Sequence, residues 1–306
     1  MKITYLSICL GAFLLGSCND NDVFEQEQYK HVFSFISDAN HISQKIFNLS
    51  DTARTGYIAL SMGGSNATDK DVTVHIVIAP DILEQYNISQ FEYAVDKYAR
   101  ELPVTRYTMA TSNCIIKKGK EKGVIPIMVI PEGLSPDSTY FLPLRIDSYD
   151  HYEVNPERNY LLYQVQIENT WAQASNNGSQ YTMAAMRYDS GATTGISIPG
   201  TKSLYPIAAH TVRTMAGNES FDSNLAELDN YAIYLDIAAD GKVTIRPYKD
   251  IQIVQLDDDS DYPNRYTLDK TDYNAYHNFA LHYKYKAGKV WYEIKEELRM
   301  MAKENK

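Results

Sequence analysis

The chain has 306 residues, with 29 Lys and Arg against 39 Asp and Glu, for a formal net charge of −10. A surface of that sign cannot neutralise phosphates, which excludes nucleic-acid binding. The length allows two domains at about 100–200 residues each; of the three cysteines, Cys9 falls in an N-terminal leader and Cys18 directly follows it, which leaves Cys114 without a partner, so packing rather than a disulfide must hold the fold.

Lys2 precedes an apolar run from Leu6 to Leu15, followed by Gly16-Ser17-Cys18. A charged start, a short apolar core and small residues before the cut make a secretory signal. The run is too short for a permanent membrane span. Leu15-Gly16-Ser17-Cys18 resembles the lipobox of bacterial lipoproteins, which implies that residues 1–17 are a signal peptide and that Cys18 is lipidated. Residues 18–28 read as an acidic tether. Within it Asn19-Asp20-Asn21-Asp22 resembles the signal that exports Bacteroidetes lipoproteins to the outer leaflet. The expected location is the outer membrane, facing the cell exterior, with membrane contact through the lipid anchor alone.

From Tyr29 onward the pattern is mostly β. Ile58, Leu60 and Met62 alternate with Tyr57, Ala59 and Ser61. Val72, Val74, Ile76 and Ile78 share one face, as do Tyr140, Leu142, Leu144 and Ile146, and Leu161, Tyr163, Val165 and Ile167. Each set predicts a half-buried strand. Asp81 to Arg100 departs from this, with Ile82, Leu83, Tyr86, Phe91, Val95 and Tyr98 at helical spacing. It predicts two short helical turns split near Asn87, capped by Asp81 and Ser89.

A β-sandwich domain with this insertion is expected over 29–168, and the small polar stretch 169–180 reads as a linker. A C-terminal β domain is expected over 181–300, with strands at 181–188, 205–213, 231–238, 242–248, 250–255, 277–285 and 289–296. Weaker runs lie at 194–199 and 264–269. Asp240-Gly241 and Ala287-Gly288 predict hairpin turns. That many strands fit a sandwich or a small closed barrel.

No nucleophile motif, zinc motif or phosphate-binding glycine loop is present. His277 and His282 lie five apart and so fall on opposite strand faces, a poor metal pair. The run Asp257-Asp258-Asp259-Ser260-Asp261 lacks the glycine and glutamate of a calcium loop and reads as a solvated loop. Asp236 and Asp240 flank a hairpin without a motif that would make them a glycosidase pair. No cofactor or metal is expected. Asp137-Ser138-Thr139 resembles a bacterial O-glycosylation acceptor.

Three stretches carry a wider resemblance: Cys114-Ile115-Ile116-Lys117-Lys118-Gly119, then Val124 to Ile130, then Gly133 to Ile146 with its Tyr140-Phe141-Leu142-Pro143 strand. They resemble the N-terminal domain of two-domain Bacteroidetes surface lipoproteins of polysaccharide-utilisation loci. Tyr273-Asn274, Phe279 to Tyr285 and Glu296 to Arg299 resemble the accompanying C-terminal domain. The resemblance implies an all-β chain: an N-terminal immunoglobulin-like β-sandwich followed by a C-terminal antiparallel barrel of calycin type, or a second sandwich. It carries no catalytic residues.

The leading expectation is a non-catalytic surface lipoprotein that binds a polysaccharide or oligosaccharide beside an outer-membrane transporter complex. The 25 tyrosines supply flat apolar faces with polar tips. Candidate ligand-binding residues are Trp171, Trp291, Tyr188, Tyr205, Tyr262 and Arg265. Two alternatives stay open: a small apolar or lipid-like ligand inside a C-terminal barrel, or a structural and adhesive surface role.

Overall fold

The computed structural model describes residues 30–49, 53–175, 178–221 and 225–303. The expected signal peptide, Cys18 and the acidic tether lie outside the described residues.

The N-terminal half contains β1 (Val32–Phe35), β2 (Ile42–Asn48), β3 (Arg54–Met62), β4 (Val72–Ile78), β5 (Arg100–Glu101), β6 (Tyr107–Met109), β7 (Asn113–Ile116), β8 (Lys122–Val129), β9 (Tyr140–Tyr149), β10 (Glu153–Val154) and β11 (Tyr160–Glu168). They form two curled sheets packed as a sandwich, ordered β10-β1-β3-β8-β6 and β2-β11-β9-β4-β7, with β5 added to β9. Alternation decides which face is inside. Ile58, Leu60 and Met62 meet Val72, Val74, Ile76, Leu142, Leu144 and Val165 in one core. Each fully buried side chain of this size contributes about 1.5–3 kcal/mol.

The helical insertion differs from expectation. One helix, α1 (Pro80–Phe91), runs unbroken through Asn87. Asn87 is buried, and its side chain satisfies the backbone of Ala99: Nδ2 donates to the carbonyl at 2.9 Å and Oδ1 accepts the N–H at 2.8 Å. A residue that looked like a break is a tie between the helix and the returning chain. Asp81 does not cap the helix, because Ala79 holds the N-cap position; it pairs with Arg145 instead. Ser89 is no cap either, since its hydroxyl donates to the carbonyl of Tyr86.

The C-terminal half contains β12 (Ser179–Asp189), β13 (Ile196–Ser197), β14 (Gly200–Ala208), β15 (Thr211–Met215), α2 (Leu225–Tyr231), β16 (Ala232–Ile237), β17 (Val243–Pro247), β18 (Ile253–Gln255), β19 (Arg265–Lys270), β20 (Ala275–Ala287) and β21 (Val290–Met301). The strand path β17-β16-β15-β14-β12-β21-β20-β18 curls into a nearly closed antiparallel barrel. This decides between the barrel and the second sandwich. A side chain bridges the seam between the end strands: Gln255 Oε1 accepts the Ile245 N–H at 2.8 Å, and its Nε2 donates to the Val243 carbonyl at 3.3 Å.

Both predicted hairpins form, with Gly241 and Gly288 at φ 86° and 59°, a region open to glycine. The expected single strand 205–213 is instead the β14–β15 hairpin, whose register shifts between Pro206 and Ala208. Its turn carries no glycine or proline, so the alternation reads straight through it. The short helix α2 also breaks the expected all-β pattern.

The middle of the barrel is packed. Tyr181, Leu204, Phe279, Tyr283, Tyr285 and Leu298 are all fully buried in one cluster. Among them Lys202 and Glu296 form a buried ion pair. Rings occupy that central space, and its polar centre disfavours a lipid chain there.

Candidate functional site

A groove of about 650 Å³ lies on the N-terminal domain, between α1 and the 38–42 turn. Its first wall is one face of the helix. Ile82, Gln85, Tyr86, Ser89 and Gln90 recur at three- and four-residue spacing, which brings them to the same side. Ile82 anchors that face in a small core with Leu83, Phe141 and Leu162. Tyr86 packs edge-on against Phe141, with ring centroids 5.2 Å apart.

The second wall is a strained turn. Asp38 Oδ1 accepts the N–H groups of Asn40 and Ile42, both at 2.8 Å. This closes the turn and leaves His41 at φ 62°, a left-handed conformation uncommon for a side chain other than glycine. The turn sets the His41 ring on Tyr160, with centroids 4.2 Å apart and planes 26° from parallel. Tyr160 pairs across the sheet with Arg145, whose guanidinium binds Asp81 at the helix start. That contact holds the Asp81 carboxyl below its usual range. Burial, with the negative Asp38 nearby, pushes the Tyr86 phenol up, so it stays a neutral donor at physiological pH.

Three rings and five uncharged polar side chains thus share one groove with Arg145, whose charge is met by Asp81: His41, Tyr86 and Tyr160 with Asn40, Gln85, Ser89, Gln90 and Asn159. Amides and hydroxyls both donate and accept. The arrangement suits a neutral ligand rich in hydroxyl groups and with apolar C–H faces.

The residues singled out from sequence lie elsewhere. Trp171 is 6% exposed, packed edge-on against Tyr266 at 5.6 Å; it belongs to the barrel core rather than to a surface. Trp291 is half-buried on β21, opposite Lys286. Tyr188 and Tyr262 are half-buried near Lys295, whose ammonium lies 5.8 Å over the Tyr188 ring and pairs with Asp259. Asp259 also accepts the Tyr262 N–H at 3.3 Å. Arg265 is exposed and donates to the Asp240 carbonyl. Tyr205 lies under Arg213 at the junction of the two halves, 5.0 Å from its guanidinium carbon. These six do not converge on one cavity.

The acidic run is spent on local structure: Asp257 accepts from Gln255 and Asn264, and Asp259 from Lys295. Asp236 is held by Arg246 and Thr211. Sequence reasoning missed the groove. Its one legible signal was the helical spacing of residues 82, 86 and 89–90; a positive φ at His41 and a ring stack between residues 119 positions apart leave no trace in local pattern.

Two family models match the chain, one described as an N-terminal domain over residues 25–153 and one as a C-terminal domain over residues 159–299. Strand β11 falls inside the second match yet pairs into the N-terminal sheet, so the halves share a strand's length of chain. No curated protein matches. Similar crystal structures include a Bacteroides ovatus protein of unknown function, 16% identical, with TM-score 0.66 and coverage of 88% of this chain and 94% of that one. A multidomain protein of the same organism is 16% identical, with TM-score 0.65 and coverage of 90% and 95%. An auxiliary nutrient binding protein from Bacteroides thetaiotaomicron is 17% identical, with TM-score 0.59 and coverage of 89% and 95%. At these identities the likeness is one of fold.

Proposed function

The chain belongs to the Bacteroides two-domain family defined by those paired matches, and from that premise we propose that it is a non-catalytic binding protein for polysaccharide or oligosaccharide. The observation that carries this reading is the stacked His41–Tyr160 pair across the groove from Tyr86, ringed by uncharged amides. Aromatic faces take the C–H side of a sugar, and amides take its hydroxyls. That a protein of the same fold is described as nutrient binding supports the reading.

The proposal includes a location. Lipid on Cys18 would hold both domains at the outer face of the outer membrane, beside a transporter that takes up what they capture. Metabolic labelling with a palmitate analogue tests the anchor. The wild-type chain should take up label and Cys18→Ala should not; label on both would refute lipidation at Cys18.

Binding is tested by affinity electrophoresis of the full chain against a polysaccharide panel, with Tyr160→Ala and Gln85→Ala alongside. At least one glycan should retard the wild-type chain, and both variants should run faster. Equal mobility of the wild-type chain in every gel, with and without glycan, would remove the proposal.

A further inference from the structure

The barrel has a cavity of its own. It holds about 340 Å³ and lies at one end, between the first residues of β14 and the segment that follows β15. β14 begins at Gly200, but its ladder with β15 starts only at Tyr205. Gly200 to Ser203 therefore pair with β12 on one side and face the cavity on the other. A volume near the lower end of the usual range for small-molecule pockets, about 300–1,000 Å³, suits one small ligand.

The lining asks for a polar occupant. Thr214 is 1% exposed, and its hydroxyl has no hydrogen-bond partner among the described residues. A buried polar group left unpaired is destabilising, so such a group facing a cavity marks a place for a partner. Lys202, also at the cavity and buried, makes one described hydrogen bond, to Glu296, although its ammonium carries three donors. The other Glu296 oxygen accepts the Tyr283 hydroxyl at 2.9 Å, and that hydroxyl oxygen accepts the Gly217 N–H at 2.8 Å. The buried network thus ties the far wall of the cavity to the floor and fixes its width.

The charges decide the ligand class. Both cations of the lining are paired, Lys202 with Glu296 and Arg213 with Asp137, and the Glu219 carboxylate accepts the neutral Tyr285 hydroxyl at 2.9 Å. Among the described lining residues no cation is left over to balance an anion. Tyr205, Met183 and Phe221 add apolar surface. We propose that this cavity is a second, separate binding site, for a single neutral sugar ring or a polyol of that size, either free or as the terminal unit of a chain. It goes beyond the groove reading and rests on different residues in the other domain.

Isothermal titration calorimetry on the full chain tests it with glucose, galactose, mannose, xylose, N-acetylglucosamine and glucuronic acid, and with the methyl glycoside and disaccharide of any sugar that binds. Two variants accompany it. Thr214→Val keeps the shape and removes the hydroxyl, and Asn218→Trp adds bulk at an exposed lining position. The expected result is binding of at least one neutral sugar, weakened about tenfold or more by each variant. Retention of the disaccharide assigns the site to chain ends, and its exclusion assigns it to free sugars. If no neutral sugar binds, if glucuronic acid binds best, or if both variants bind as the wild type does, the proposal is overturned. In the gel, loss of retardation in Tyr160→Ala and Gln85→Ala reads the groove, whereas the response to Thr214→Val and Asn218→Trp reads the cavity, so either site can fail without the other.

Discussion

Arg213 of the barrel and Asp137 of the N-terminal sandwich form a two-pronged ion pair, with both nitrogen–oxygen distances 2.6 Å. Arg213 is 2% exposed and lies beside the rings of Tyr205 and Tyr248, 5.0 and 5.5 Å from their centres. A planar guanidinium suits this place because it can meet a carboxylate edge-on and rings face-on. The pair acts as a clamp between the two halves.

Asp137→Ala should therefore lower stability by about 3 kcal/mol, because it strands a buried cation. The Asp137→Leu, Arg213→Met double variant should recover most of that loss. Urea unfolding of the wild type and the two variants checks it; a double variant no more stable than Asp137→Ala would refute the clamp.

Tyr160→Ala removes one ring of the stacked pair in the groove. Affinity for a retarding glycan should fall about tenfold, in line with the weight of one aromatic contact, with no change in the thermal midpoint beyond a few degrees. Quantitative affinity electrophoresis measures the first, and differential scanning calorimetry the second.

Gly56 is enclosed in the N-terminal core. A Cβ there would come 2.1 Å from the Tyr163 hydroxyl and 3.0 Å from Phe47 Cζ. Gly56→Ala should cost about 1–3 kcal/mol through overpacking. Adding Tyr163→Phe, which removes the colliding oxygen, should restore part of it, as read from unfolding midpoints.

Burial pushes the pKa of His277 below the usual imidazole value of 6.5. Its Nδ1 lies 2.9 Å from the Tyr266 hydroxyl. As pH falls through 6.5 the unfolded chain takes up this proton before the folded chain does. Stability should drop over that interval and level off below the folded pKa. His277→Gln should flatten the slope below pH 6.5, which unfolding midpoints at stepped pH will show.

Cys114 is fully buried, and burial pushes its thiol up to about 11. The thiolate is the reactive form. With Cys9 and Cys18 replaced by alanine, the native chain should resist a disulfide reagent at pH 8 and react at once after unfolding in guanidinium; rapid native labelling would contradict the packing around Gly123 and Ile116.

What could be read from the chain alone was whatever depends on neighbours along it. Period-two alternation located β3, β4, β9 and β11, because a strand's two faces are written two residues apart. Asp240-Gly241 and Ala287-Gly288 located hairpins, because few residues tolerate a positive φ. The paired stretches around 114–146 and 273–299 already pointed to the two-domain family.

Tertiary structure decided the rest. Asn87 broke the helical pattern on paper and ties the helix to Ala99 in space. Asp137 belonged only to a glycosylation-like tripeptide and turned out to grip Arg213, 76 residues away. Trp171, the natural choice for an exposed platform, went into the barrel core. His41 and Tyr160, Lys202 and Glu296, Thr214 and the cavity it lines come together only when strands distant in sequence pair. Burial and convergence are properties of the packed whole, and no local pattern encodes which polar group will lose its water.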